Sequence, residues 1–201
     1  MAKDQAHWDQ RYREGNLPWD SQIRSRELAR QLKAVPIVPC RAIELGCGTG
    51  TNAFFLAEQG FDVTAVDISA VVIARTQQQA EQAGLPIDFR AVDLSQFDWK
   101  EEPFDFIFDR GCYHCARGEN AENILNALRT LSKPGTRYLS LIGNAKAQHG
   151  NEPTMTEAEI RAELGSLFQI DDLQEIHLED AGGIEGPSAW SVLMTRVANA
   201  E

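Results

Sequence analysis

The chain has 201 residues, of which 43% are hydrophobic and 24% are charged, a composition typical of a globular domain that argues against disorder. Its formal net charge of −11 offers no electrostatic basis for binding nucleic acid or an anionic membrane. No apolar run approaches the ~18 residues that a bilayer-spanning helix needs, and the N-terminus has no hydrophobic signal segment. We therefore expect a cytoplasmic protein, in which the four cysteines are free thiols.

Two helices are predicted before the first strand, over residues 4–15 and 21–35, with Gly15 ending the first and prolines ending the second. From Ala42 onward, predicted strands and helices alternate. The predicted strands cover residues 42–45, 62–67, 87–94, 104–110, 136–143, 168–178 and 189–196. The predicted helices cover residues 51–60, 70–84, 120–135 and 156–164, the last opening with a capping box of Thr156 and Glu159.

This alternation predicts an α/β fold with a parallel sheet covered by helices on both faces. The segment between the last two strands is too short for a crossover helix, so these strands are expected to form an antiparallel hairpin. We predict one structural domain overall, with residues 1–39 as a helical extension of a core formed by residues 40–201.

A glycine-rich turn follows the first predicted strand, with Gly46, Gly48 and Gly50 within five positions. Ligands of open parallel sheets lie beyond the carboxyl ends of the strands, and glycines let a backbone turn tightly and approach a ligand closely. Asp67 ends the second predicted strand at the edge of the same crevice, where its carboxylate can accept hydrogen bonds from both hydroxyls of a ribose.

Two alternatives compete for this turn. The dinucleotide fingerprint places its third glycine at the sixth position, where this chain has Thr51, so the spacing favours a ligand other than a nicotinamide dinucleotide. A nicotinamide oxidoreductase nevertheless stays an alternative, as does a tight turn without a ligand.

Five segments together resemble the motifs of class I S-adenosylmethionine-dependent methyltransferases. They are "ELGCGTG" at 44–50, "AVDIS" at 65–69, "AVDL" at 91–94, "FDFIFDRG" at 104–111 and "LSKPG" at 131–135. The resemblance covers roughly residues 40 to 196 in the expected order. It implies a Rossmann-like, seven-stranded, mainly parallel sheet of order 3-2-1-4-5-7-6 with a C-terminal antiparallel hairpin, and S-adenosylmethionine as the cofactor.

The resemblance also implies roles for individual residues. Glu44 and the glycines would shape the methionine side of the pocket, Asp67 would bind the ribose, and Asp93 with Leu94 would flank the adenine. The full predicted cofactor-binding set is Trp8, Trp19, Glu44, Gly46, Cys47, Gly48, Gly50, Asp67, Ile68, Asp93, Leu94 and Asp109.

The segment "HWDQRYREGNLPWD" at 7–20 resembles the leader of the thiopurine, thiol, thiocyanate/halide and tellurite-resistance methyltransferases. In that branch a W-x-x-x-[YW]-x-x-G-x-x-P-W-like pattern closes over the cofactor, and here it falls on Trp8, Tyr12, Gly15, Pro18 and Trp19. Aromatic faces can stabilise a sulfonium cation and exclude water. We expect an N-terminal helical lid, and the alternative is that the two tryptophans only fasten the helices to the domain.

The methyl acceptor is expected to be a small molecule with a soft nucleophile, such as a thiol or chalcogenide, which needs little general base. The chain lacks the N/D-P-P-Y/F/W turn of amide and exocyclic-amine methylating enzymes, since residues 109–112 read "DRGC". The candidate catalytic residues are His114, as a proton acceptor, and Tyr113. Arg110 is expected either to form an ion pair with Asp109 or to attract an anionic acceptor. The loops at 143–155, which contains His149, and 179–190 are expected to shape the acceptor site.

No metal is predicted, because the cysteines and histidine of "DRGCYHC" at 109–115 have no second pair of ligands elsewhere in the sequence. The alternatives that stay open are an O- or N-methyltransferase of a small metabolite and a non-catalytic S-adenosylmethionine-binding protein. A monomer or weak homodimer is expected, without a nucleic-acid or membrane partner.

Overall fold

A computed structural model describes residues 4–35, 37–147, 154–180 and 185–198. Seven strands form one sheet of order β3-β2-β1-β4-β5-β7-β6, which confirms the predicted order. The strands are β1 (Arg41–Leu45), β2 (Asp62–Asp67), β3 (Ile87–Ala91), β4 (Phe104–Arg110), β5 (Ser132–Gly143), β6 (Phe168–Glu179) and β7 (Glu185–Arg196).

The sheet is parallel through its first five strands and antiparallel at its C-terminal end. β1 pairs in parallel with both β2 and β4, and β7 lies antiparallel between β5 and β6. The predicted hairpin is therefore confirmed, although residues 181–184 of its connection lie outside the described residues.

The described part of the chain contains seven α-helices. They are α1 (Gln5–Glu14), α2 (Arg26–Ala34), α3 (Thr51–Glu58), α4 (Ala70–Ala83), α5 (Cys112–Ala116), α6 (Ala121–Leu131) and α7 (Glu157–Glu163). The capping box of Thr156 and Glu159 is present at the start of α7, as predicted. None of these helices, within the residues described, is both long and apolar enough to cross a membrane.

Several boundaries differ from the sequence predictions: among the strands, β3 ends at Ala91 instead of residue 94 and β7 begins at Glu185 instead of residue 189. α2 begins at Arg26 instead of residue 21, because the Ser25 side chain caps it by accepting a hydrogen bond from the backbone N–H of Leu28. The predicted helix over 120–135 stops at Leu131 and β5 begins at Ser132, since the residue before Pro134 is biased towards extended backbone. The short helix α5 was not predicted.

Side chains alternate between two apolar clusters, one on each face of the sheet. Along β1, Ile43 and Leu45 belong to one cluster, whereas Ala42 belongs to the other. Along β4, Ile107 faces the first cluster and Phe108 the second. The buried strands β1 and β4 are thus fixed in the centre of the molecule, which holds the loops at their carboxyl ends in place.

The strand order reverses between β1 and β4, because the chain leaves β1 towards β2 and β3 and then returns to β4 on the other side. Ligands of open α/β sheets bind in the crevice outside such a switch point. Gly46 follows β1 and Gly111 follows β4, so both turns open onto this crevice.

Candidate functional site

A cavity of about 540 Å³ lies at the switch point, within the size range of small-molecule sites. Its walls include many of the predicted site residues, namely Trp8, Trp19, Gly46, Asp67, Ile68, Asp93, Leu94 and His114. A smaller pocket of about 60 Å³ shares Gly46, Trp19 and Arg110 with it and adds Glu44, Cys47 and Gly48. Three predicted residues line neither pocket: Gly50, Asp109 and Tyr113.

Packing explains the glycines at both ends of the turn. Gly46 has a φ of +64°, and a Cβ there would come within 2.7 Å of the Cβ of Cys112, at the start of α5. Gly50 has a φ of +77°, and a Cβ there would lie 2.3 Å from the Thr76 side chain on α4. Both positions require glycine because of protein neighbours as well as backbone conformation.

The Asp67 carboxylate organises the turn. Its Oδ2 accepts a hydrogen bond from the backbone N–H of Gly48 at 2.9 Å, and its Oδ1 accepts one from Ser69 at 2.9 Å. Burial raises the pKa of Asp67, while these two bonds and the nearby Tyr12 hydroxyl oppose the rise. Each carboxylate oxygen can accept more than one bond, so Asp67 retains the capacity to bind hydroxyl groups in the cavity.

Three aromatic rings of the N-terminal segment form one cluster over the cavity. The Trp19 ring makes edge contacts with Trp8, at a centroid distance of 5.3 Å, and with Tyr12, at 6.2 Å. The Arg11 guanidinium lies 4.8 Å from the centre of the Trp19 ring. Tyr12 is buried, although Trp19 is 37% exposed, so the cluster reaches from the solvent to the glycine turn.

Polar contacts fasten this aromatic cluster to the sheet domain. The Ser69 hydroxyl donates to Asp9, the Thr49 hydroxyl donates to Asp20 at 3.0 Å, and the Arg75 guanidinium donates to the backbone carbonyl of Tyr12 at 2.8 Å. These contacts join α1 and the turn that follows it to the residues around the glycine turn.

Two buried polar atoms beside the small pocket have no hydrogen-bond partner among the described residues. They are Oε2 of Glu44 and Nε of Arg110. Oε1 of Glu44 accepts from the Asn52 amide at 3.2 Å, and burial raises the pKa of Glu44 to about 8. An unpaired acceptor and an unpaired cationic donor match the ammonium and carboxylate of an amino-acid group, so these residues fit the methionine end of S-adenosylmethionine.

Asp93 and Leu94 lie at the far end of the cavity, where β3 leads into a 3₁₀ turn (Leu94–Gln96). The Asp93 carboxylate caps this turn by accepting from the backbone N–H of Ser95 at 2.9 Å and from the Gln96 amide at 3.1 Å. Val66, Ile68 and Val92 give the same region an apolar wall.

Asp109 is placed away from both pockets, contrary to its predicted contact with the cofactor. It is fully buried, and its carboxylate accepts hydrogen bonds from the backbone N–H groups of Cys112 and Tyr113 and from the hydroxyls of Tyr138 and Ser140. These bonds tie α5 and β5 to β4. Arg110, the next residue, contacts the cavity instead and forms no ion pair with Asp109 among the described residues.

The two candidate catalytic residues occupy opposite sides of α5. Tyr113 is buried, and its hydroxyl donates to Glu163 on α7 at 2.9 Å, so the ring packs in the core and does not line the cavity. His114 does line the cavity. Its Nδ1 accepts from the backbone N–H of Gly143 at 3.1 Å, and burial lowers its pKa to about 4. The ring is therefore neutral with its proton on Nε2, and it offers a hydrogen-bond donor.

The cysteines are free thiols in the structure. Burial raises the pKa of both Cys47 and Cys112, which keeps these thiols protonated near neutral pH. Within the described parts of the chain, no group of three or more His, Cys, Asp or Glu side chains is arranged to hold a metal ion. His149 lies outside the described residues.

Several residues of the site were not singled out from the sequence. Asp9 and Asp20 hold the aromatic cluster, and Asn52 binds Glu44. Asp9 stands inside the leader pattern at 7–20, but that pattern marks aromatic positions only, and its partner Ser69 is 60 residues away. Asn52 follows the last glycine of the turn by two residues, and this short spacing is the one sequence signal that could have indicated Asn52 as a site residue.

Comparison with known protein families gives one match for part of this chain. Residues 42–135 match the family described as "Methyltransferase domain". Two curated relatives are "2-heptyl-1-hydroxyquinolin-4(1H)-one methyltransferase" of Mycobacteroides abscessus, 26% identical over 68% of this chain and 62% of the relative, and "Probable thiol methyltransferase 2" of Arabidopsis thaliana, 25% identical over 73% of this chain and 65% of the relative. The chain spans 33% to 65% of the length of eight curated relatives that it matches.

Among solved structures, the chain resembles one described as "Conversion of a Disulfide Bond into a Thioacetal Group during Echinomycin Biosynthesis". The TM-score is 0.82 at 22% identity, over 98% of this chain and 94% of the other, which shows a common fold. The matched family, the five motifs in order and the sheet order agree with one another. The chain thus resembles the S-adenosylmethionine-dependent methyltransferases over residues 42–135 and in the order of its sheet.

Proposed function

We propose that this protein transfers a methyl group from S-adenosylmethionine to a small-molecule acceptor, preferably a thiol, chalcogenide or other soft nucleophile. The observation that carries the proposal is the cavity at the switch point, which brings the glycine turn, Asp67 and the aromatic cluster around one space. The unpaired Oε2 of Glu44 and Nε of Arg110 beside it provide the complement of an amino-acid group.

When bound, S-adenosylmethionine supplies an electrophilic methyl group on a sulfonium. The chain's own residues hold and shield it: Glu44 and Arg110 take the amino-acid group, Asp67 accepts from the ribose hydroxyls, and Asp93 with Leu94 borders the base. The rings of Trp8 and Trp19 cover the cavity and present faces that can stabilise a cation and keep water out.

A soft nucleophile is the acceptor that best matches the candidate catalytic residues, Tyr113 and His114. Tyr113 points into the core, and His114 has its Nδ1 occupied and its proton on Nε2, so neither candidate offers a free base. A thiol needs little help from a base, since it ionises readily and is intrinsically nucleophilic. The name of the Arabidopsis relative, a thiol methyltransferase, supports the same acceptor class.

An oxygen acceptor is the second candidate, and the relative from Mycobacteroides, named for a hydroxyquinolinone, supports it. The two candidates differ in their demand for proton removal, because a hydroxyl group loses its proton less readily than a thiol. A hydroxyl acceptor therefore needs a base that neither Tyr113 nor His114 supplies in this arrangement.

The test has two stages. Calorimetry with S-adenosylmethionine is expected to show binding, whereas binding of NADH in its place would contradict the proposal. Methyl transfer from labelled cofactor is then measured with small thiols, selenide, halides and phenols. Transfer to thiols that follows the ionisation of the thiol supports the soft-nucleophile class. Transfer to phenols alone supports the second candidate, and tight cofactor binding without any transfer indicates a non-catalytic binding protein.

The remaining expectations concern the whole protein and are likewise proposals. We propose a cytoplasmic protein that acts as a monomer or weak homodimer, without a nucleic-acid or membrane partner. The net charge of −11 supports the absence of a polyanionic partner. Sedimentation at several protein concentrations tests the oligomeric state.

A further inference from the structure

We propose that the acceptor half of the cavity selects thiols without a negative charge, that is, neutral and mainly apolar thiols. This inference rests on the proposed function and narrows its substrate class. The acceptor half is the part of the cavity beyond β4 and β5, lined by His114, Ala116, Asn120, Ile124, Leu178 and Pro187.

The walls of the acceptor half are mostly apolar. Asn144, which borders it, uses its amide to donate to the Ser188 hydroxyl at 3.1 Å and to accept from the backbone of Lys146 at 2.9 Å. The Nε2–H of His114 has no hydrogen-bond partner among the described residues. It can donate to the sulfur of an uncharged acceptor, because sulfur is a weak acceptor that the neutral imidazole can bind without a counter-ion.

The cations of the cavity are engaged by the protein itself or, in the case of the unpaired Nε of Arg110, assigned to the carboxylate of the cofactor. Among its described wall residues, the positive charges are Arg11 and Arg110. Arg110 donates through its two terminal nitrogens to the backbone carbonyls of Trp19 and Glu179, at 3.0 and 2.9 Å, and lies 3.6 Å from the Glu179 carboxylate. Arg11 lies over Trp19 and donates to the carbonyl of Asn16 at 3.0 Å.

Negative charge exceeds positive charge on the same walls, which carry the carboxylates of Asp4, Asp67, Asp93, Glu179 and Asp180. An acceptor with a permanent negative charge, such as a carboxylate, would lose hydration here without gaining a counter-ion from the described walls, which is strongly unfavourable, whereas a neutral thiol avoids that cost.

The chemistry balances for a neutral thiol. Methylation forms one bond between the acceptor sulfur and the methyl carbon and breaks the sulfonium bond of the donor, whose electron pair stays on the donor sulfur. The thiol proton leaves to the solvent, and the product is an uncharged thioether. The acceptor half therefore never has to hold a permanent negative charge.

The test compares two thiols that share the same nucleophile, phenylmethanethiol and its 4-carboxylate, 4-(sulfanylmethyl)benzoate. Binding is measured by calorimetry on the full chain saturated with S-adenosylhomocysteine, so that the readout does not depend on turnover. The neutral thiol is expected to bind at least about tenfold more tightly than the carboxylate.

A charge variant is expected to reduce or abolish the preference for the neutral thiol. Ala116→Lys adds a cation to the acceptor half and is expected to strengthen binding of the carboxylate at least about tenfold. Gln78→Lys adds the same charge on the exposed face of α4, away from the cavity, and is expected to leave both affinities unchanged. An equal change in the two variants would contradict the inference.

The outcomes separate this inference from the proposed function. No binding of S-adenosylhomocysteine contradicts both. Binding of S-adenosylhomocysteine together with equal or tighter binding of the carboxylate, or with no binding of the neutral thiol, overturns the inference and leaves the proposed function standing. The comparison on the wild-type chain is sufficient even if Ala116→Lys does not fold.

Discussion

At the scale of the residue, Asp67 carries the sharpest expectation about the cofactor. Its carboxylate is held by the backbone N–H groups of Gly48 and Ser69 and lies on the cavity wall. We expect Asp67→Ala to weaken S-adenosylmethionine binding at least about tenfold, or ~1.4 kcal/mol, because charge-assisted hydrogen bonds are lost. Calorimetry measures the effect. Asp62→Ala, at the exposed start of the same strand, serves as the control, and an unchanged affinity in Asp67→Ala would refute the ribose role.

The ionisation of Glu44, in the same site, makes the stability of the protein depend on pH. Burial raises the pKa of Glu44 from an ordinary value of 4.5 to about 8. Because the folded protein prefers the protonated carboxyl, the resulting stabilisation is fully present below about pH 4.5 and is lost as the pH rises through about 8. Above that pH, the free protein holds a buried carboxylate with one unpaired oxygen.

Glu44→Gln tests this linkage, since glutamine keeps an acceptor for Asn52 and cannot ionise. Relative to the wild type, the free energy of unfolding of the variant should rise between pH 5 and pH 9 by an amount on the order of 4 kcal/mol. Urea unfolding at the two pH values measures it. S-adenosylmethionine should bind the variant more weakly, because the partner of its ammonium is gone. A stability difference that does not change with pH would show that Glu44 ionises normally.

The sequence can indicate a site residue when the contacts of that residue are close in sequence, and not when they are distant. The glycine turn and Asp67 belong to short motifs, and Gly46 and Asp67 lie on the wall of the cavity at the switch point. The partners that fix Gly46 and Gly50 in the fold, Cys112 and Thr76, are distant in sequence. The motif showed that the glycines were needed, and only the packing shows why.

At the scale of the element, Asp109 holds α5 against the sheet. Asp109→Ala would leave three buried donors and one partly buried donor without an acceptor, and each buried donor costs roughly 1–3 kcal/mol, so we expect a loss of several kcal/mol in the free energy of unfolding. Asp109→Asn should lose less, because the hydroxyls of Tyr138 and Ser140 can turn to accept from the new amide. Urea unfolding measures both. Asp105→Ala, on the same strand but partly exposed, is the control.

A different result for Asp109→Ala would support the contact with the cofactor that the sequence predicted for Asp109. If Asp109→Ala unfolds like the wild type but binds S-adenosylmethionine at least about tenfold more weakly, Asp109 contacts the cofactor after all.

The helix α5 also shows why part of the site could not be read from the sequence. Tyr113 and His114 are adjacent, yet one faces the core and the other faces the cavity. That orientation depends on Asp109 before the helix and on Glu163, which is 50 residues further along the chain and binds the Tyr113 hydroxyl. A five-residue helix has too little periodicity to indicate its buried face.

At the scale of the whole molecule, the sequence predicted the sheet well because its strands alternate regularly with helices and because the motifs occur in a fixed order. The place of the switch point follows from that order. The shape and charge of the cavity do not, since its walls come from the N-terminal segment, the loops after β4 and β5, and the end of β6. These parts meet only in the folded chain.

The charge of the whole molecule leads to the last prediction. The net charge is −11, and the cavity wall carries more carboxylates than guanidinium groups. S-adenosylmethionine has one positive charge more than S-adenosylhomocysteine, so the protein's field should favour the methyl donor over the product. Salt screens such attraction, with a Debye length of about 10 Å at 0.1 M.

We therefore expect S-adenosylmethionine binding to weaken by several-fold between about 20 mM and 300 mM sodium chloride, and S-adenosylhomocysteine binding to change much less. Calorimetry of both ligands across this range measures the difference, with the product as the matched control for contacts that carry no net charge. The same field would then promote release of the neutral product after each transfer. Equal salt dependence for the two ligands would mean that Arg11 and Arg110 compensate the carboxylates of the cavity wall.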